Sequence, residues 1–159
     1  MNGILRIALI ALMLALVACS TVSTVHQPLP YAAAQGQGYA YAFANSAGDD
    51  DPEGVARLDR LIHAGLLKAG LVAASGESPV GRVEVELTHY HVRSNAARFW
   101  AGILAGRDKI ASRVTVHDAA GAEIGSFDVE TTNVSAWGST QGLMEEHADE
   151  IASRLGAPR

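Results

Sequence analysis

Three consecutive stretches of this chain alternate apolar and polar residues, and a segment with apolar residues at helical spacing stands on each side of them. "GRVEVELTHYHV", from Gly81, places Val83, Val85, Leu87, His89 and His91 on one face and Glu84, Glu86, Thr88 and Tyr90 on the other, as a half-buried strand does. "KIASRVTVHD" groups Ile110, Ser112, Val114 and Val116, and Asp118 and Gly121 then take the first and fourth places of a tight turn. In "EIGSFDVETTNV", Ile124 is out of phase with Phe127 and Val129, and a bulge beside Gly125 would bring all three to one face.

Upstream, "YAYAF" at 39–43 reads as a first strand. Asp51, Pro52 and Glu53 follow as a capping side chain, a proline at the first helical position and an acid on the positive end of the dipole. Val55, Leu58, Leu61, Ile62, Leu66 and Ala69 recur at helical spacing up to Gly70, a suitable stop, which predicts a helix over 52–69. Downstream, Ser139 is a capping candidate for a second amphipathic helix. There Leu143, Met144, His147, Ile151 and Leu155 form one stripe against Glu145, Glu146, Asp149 and Glu150. The acidic side is expected to be solvated, or to dock a basic partner.

The predicted order is β-α-β-β-β-α. One-faced strands and one-faced helices imply an α/β (α+β) two-layer sandwich: a mostly antiparallel four-stranded sheet with both helices on one face. The other face would be wet, carrying Glu84, Glu86, Arg113, Thr115 and His117.

The first twenty residues, "MNGILRIALIALMLALVACS", fit neither pattern. A short start with Arg6 leads into an apolar run from Ile7 to Val17, shorter than the ~20 residues a membrane span needs and without the polar stripe of a globular helix. Leu16, Val17, Ala18 and Cys19 resemble a bacterial lipobox, with cleavage before the cysteine. That resemblance implies a thioether-linked diacylglycerol on Cys19 and a further acyl chain on its freed amine. Each buried CH₂ contributes about 0.8 kcal/mol, so two or three chains hold almost permanently. Ser20, where an aspartate is associated with inner-membrane retention, implies the outer membrane by the same analogy.

Removing residues 1–18 from the 159 leaves 141, and takes only Arg6 among the charged groups. Eleven basic residues then face 17 acidic ones, for a net charge of −6. Nothing clusters Lys and Arg as nucleic-acid binding requires. Cys19 is the only cysteine, which excludes disulfides, thiolate metal sites and a cysteine nucleophile. Residues 20–37, "STVSTVHQPLPYAAAQGQ", have no charge and no clear period and read as a flexible tether spanning on the order of 20 Å. The expected organisation is a signal peptide at 1–18, lipidated Cys19 with its tether at 19–37, and one periplasmic domain at 38–157.

From about residue 80 onward the order of elements resembles an uncharacterised bacterial lipoprotein family, the domain of unknown function 4410. An alternating strand, a link punctuated by Arg98, Gly102 and Gly106, a strand ending in Asp118 and Gly121, then a strand and a closing helix carry the likeness. The family brings no reaction and no catalytic residues.

The link itself, "NAARFWAGILAGRD", is too apolar for an ordinary surface connection. Folding back to seal the sheet end is the expected role of Phe99, Trp100, Ile103 and Leu104. The other reading makes them a surface that contacts membrane or a partner.

Six histidines invite a metal site. Parity puts His117 on the opposite face from His89 and His91, and antiparallel pairing sets it roughly 20 Å from His89, so the three do not join. A pair from His89 and His91 with an acid is the remaining option. No G-x-S-x-G elbow or phosphate loop appears, and "GQGY" precedes a strand without linking it to a helix. The expectation is a non-catalytic binding component of an envelope assembly, with no cofactor, no metal and an unidentified protein partner. The alternative is a small hydrolase or metal-binding enzyme using His89 and His91.

Overall fold

The computed structural model describes residues 20–29, 38–48, 50–92, 107–133 and 139–156. Its elements are β1 (Ser20–Gln27), β2 (Ala40–Asn45), α1 (Pro52–Lys68), β3 (Gly81–His91), β4 (Asp108–Asp118), β5 (Glu123–Asn133) and α2 (Thr140–Gly156). Helix α1 begins and ends as its sequence dictates. The Asp51 carboxylate accepts from the Gly54 amide at 2.9 Å, and Pro52 needs no amide partner in the first turn. At the other end Gly70 takes φ +69°, so that Leu71 N–H reaches Leu66 O and Gly70 N–H reaches Leu67 O. This pair of bonds closes the last turn.

The strands form one five-stranded sheet in the order β1-β5-β4-β3-β2. The β3-β4-β5 meander is antiparallel, as expected. The strand count corrects the expectation, while the sheet is mostly antiparallel as expected, with one parallel pair. The sheet has five strands rather than four, and β2 runs parallel to β3, with α1 supplying the crossover that a parallel neighbour needs. The fifth strand lies where a tether was expected: Ser20–Gln27 pairs antiparallel with β5, Thr21 opposite Thr131 and Ser23 opposite Val129. Periodicity hides it, because its helix-facing positions Thr21 and Ser23 are hydroxyls, while Val22 on the outer face is 60% exposed.

Both helices pack on each other and on one face of the sheet. Leu58, Ile62 and Leu66 of α1 and Leu143, Met144 and Ile151 of α2 meet Val83, Val85, Leu87, Ile110, Val114, Val116, Phe127 and Val129. The bulge expected beside Gly125 is present: Val116 pairs with Gly125 and His117 with Glu123, so Ile124 is the extra residue and packs against the core. A Cβ on Gly125 would lie 2.6 Å from the Leu29 side chain, so the glycine is what lets Leu29 close over the sheet.

Leu58→Ala should cost about 2–5 kcal/mol, because it empties a fully buried site, whereas Val22→Ala should stay within about 0.5 kcal/mol. Urea unfolding midpoints of the two variants check this contrast.

Candidate functional site

Cys19, the residue expected to carry lipid, and Phe99, Trp100, Ile103 and Leu104 lie outside the described residues. Their described neighbours do have a place. Ser20 pairs with Thr132, Asp108 with Asn133, and His91 with Lys109, so the start of β1, the end of β5, the start of β4 and the end of β3 share one end of the sheet.

The structure corrects the phase of His89 and His91. Leu87 pairs with Ser112 and His89 with Ala111, which leaves Thr88 as an extra residue, its hydroxyl donating to Ala111 O at 3.1 Å. This bulge inverts every later side chain on β3. Tyr90 turns toward the helices, where its hydroxyl donates to Asp51 Oδ2 at 3.2 Å, and the phenol pKa rises through burial and the Asp51 charge. His89 and His91 are exposed on the wet face, which they share with His117. Register still separates them: His117 pairs with Arg82 and His89 with Ala111, roughly 20 Å apart at ~3.3 Å per residue. Among the described residues no three His, Cys, Asp or Glu groups converge to hold a metal ion.

A cluster that the sequence reading did not assemble lies inside the sandwich. His147 of α2 is fully buried, with Nε2 2.9 Å from Ser112 Oγ and Nδ1 3.0 Å from Thr131 Oγ1. Each of the three interrupts an apolar phase, and that shared anomaly was the available signal. Burial disfavours the imidazolium and lowers the His147 pKa to about 4. The cluster continues outward, since Thr131 Oγ1 lies 3.3 Å from Thr21 Oγ1, and the Thr21 hydroxyl donates to Glu146 Oε1 at 2.7 Å. One set of protons satisfies every group: Nδ1–H donates to Thr131, Thr131 to Thr21, Thr21 to Glu146, and Ser112 to Nε2. Ser112 beside His147 has the atoms of a nucleophile and its base, but with both enclosed no substrate reaches them.

Helix α2's acidic face also has an occupant, and it is β1. Glu146 takes the Thr21 hydroxyl and Glu150 takes the Ser23 hydroxyl. The Glu150 pKa is lowered first by the Ser23 hydrogen bond and then by that of Arg154. On the outer face His26 Nε2 lies 2.7 Å from Asp128 Oδ2, and Arg113 grips the same carboxylate at 3.0 and 3.3 Å. The Arg113 hydrogen bond is the first cause of the lowered Asp128 pKa. Lys109 and Glu130 pair at 2.8 Å on the same face.

An open cleft of about 390 Å³ lies at the other end of the sheet, lined by Pro79, Gly81, Arg82, His117, Asp118, Ala119 and Gly121. Its charges are largely committed. Asp118 Oδ1 accepts from the Ala120 and Ala122 amides at 2.9 Å, and Arg82 pairs with Glu84 at 3.3 Å.

A family model described as "Domain of unknown function (DUF4410)" matches residues 30–136, reaching well upstream of the stretch from residue 80 on which the resemblance rested. No curated protein sequence matches the chain. Solved structures that share the fold include two of the PelC dodecamer from Paraburkholderia phytofirmans. One, a leucine-to-methionine variant, is 13% identical with a TM-score of 0.63, and the other is 12% identical with a TM-score of 0.60. Each comparison covers 89% of this chain and 100% of the PelC chain.

The buried histidine makes stability depend on pH. Unfolded, His147 takes up a proton near 6.5, whereas the fold keeps it neutral down to about 4. Between those values the unfolded chain binds the extra proton, so stability falls as pH drops through the window, by about 3 kcal/mol in all. Urea unfolding at pH 7, 5.5 and 4 should show this loss on top of the carboxylate titrations, and a His147→Gln variant should lack it.

Proposed function

We propose that this chain, which belongs to the DUF4410 family, is an outer-membrane lipoprotein anchored through Cys19 and facing the periplasm, working by binding as a non-catalytic component of an envelope assembly. The observation that carries the reading is where the reactive groups sit. His147 and Ser112 are locked in the core, while the open face of the sheet presents ion pairs that satisfy one another, including Lys109 with Glu130 and Arg113 with Asp128. Such a surface suits contact with another polar surface better than it suits chemistry.

Copies of this chain are the first candidates for the assembly. Among the described residues β1 and β2 are the sheet's edge strands, and the PelC structures that share the fold are dodecamers. The membrane is the other partner, through acyl chains on Cys19. The sequence from Ile7 to Val17 and the lipobox around Cys19 support that anchor.

Two measurements test the reading. Cells fed a labelled fatty acid should label this protein, which should sediment with outer-membrane density, and Cys19→Ser should abolish the label and leave unprocessed precursor. Light scattering of the detergent-extracted protein should give a mass several times that of one chain, and a monomeric mass would remove self-assembly from the proposal.

A further inference from the structure

We infer that the sheet stands on end on the membrane, with the end that carries the exposed Ser20 and His91 toward the lipid headgroups and the cleft end pointing away. The inference rests on the lipidation of Cys19 proposed above, and adds to it an orientation.

A lipoprotein whose acylated cysteine is followed by a flexible tether leaves its domain free to tumble. Here Ser20 is already part of the sheet, opposite Thr132 on β5. Consecutive Cα atoms are ~3.8 Å apart, so the residue that carries the lipid is bonded directly to a ladder residue.

Strand β1 is fastened as well as paired. Its ladder runs along β5 from Thr132 to Ser126. Side chains hold it on both faces: Thr21 on Glu146 and Ser23 on Glu150 against α2, and His26 on Asp128 outside. Acyl chains attached one residue before such a strand draw the whole sheet end down to the lipid. Arg107, exposed just before β4, puts a positive charge at this end of the sheet, whereas Lys109 is already paired with Glu130 at 2.8 Å. The opposite end, at the turn after Asp118, is ten β4 residues away, about 30 Å at ~3.3 Å per residue.

The test uses the full, lipidated protein. With Cys19 blocked by its thioether, a single introduced cysteine is the only free thiol. His91→Cys and Ala120→Cys, both at exposed positions, are labelled with a small fluorophore. Each protein is then reconstituted into phosphatidylethanolamine and phosphatidylglycerol vesicles containing a lipid spin-labelled at the headgroup. Quenching should be at least three-fold stronger at position 91 than at position 120. Equal quenching at the two positions, whether strong or absent, or stronger quenching at 120, overturns the orientation. Intact mass spectrometry of the same samples separates the two layers of the argument. Missing acyl groups on Cys19 overturn the anchor and the orientation with it, whereas equal quenching in acylated protein overturns the orientation alone.

Discussion

The helix-facing side of β3, β4 and β5 carries Val83, Val85, Leu87, Ile110, Val114, Val116, Phe127 and Val129, and no part of the molecule would hold its place if that side stood in water. Covering it requires two helices side by side, so α1 and α2 must reach the same face and pack on each other. The remaining geometry follows. Tyr90 is turned inward to Asp51 at the start of α1, because the bulge at Thr88 inverts the end of β3, and a bulge at Ile124 sets the phase of β5 in the same way.

Within that sealed layer the cost of burying polar atoms decides what the hydroxyls and the imidazole do. His147 lies on the apolar stripe of α2 and is tolerable there only as a neutral ring with both nitrogens bonded. Ser112 and Thr131 meet that demand from two neighbouring strands. The same hydrogen-bonding logic extends sideways into β1, whose hydroxyls take the place of the apolar residues of an inner strand and find carboxylates on α2. The edge strand is thus attached by polar seams, the central strands by apolar burial.

That difference bears on function. A strand attached by hydroxyl and carboxylate contacts still fixes the position of its first residue, and in this chain the residue before it is the proposed site of lipid. The proposed anchor and the paired charges of the outer face suit the proposed binding role. The fold shared with the PelC structures is compatible with many roles and adds architecture alone.

The sequence by itself determined the elements whose information is local. The Asp51-Pro52 start and Gly70 stop of α1, the turn after Asp118, the bulge beside Gly125 and the apolar faces of β3 to β5 and both helices are set by side-chain period and backbone preference within a few residues. The domain's resemblance to its family was legible in the same signals. Tertiary structure alone decided three things. It placed "STVSTVHQ" at the sheet edge, because that strand's partners are hydroxyl and carboxylate groups more than a hundred residues away. It moved His89 and His91 to the wet face, because the extra residue at Thr88 is defined only against the register of β4. It joined Ser112, Thr131 and His147, because a buried polar atom must find its partner across the packing of separate elements, and no local pattern encodes which one that is.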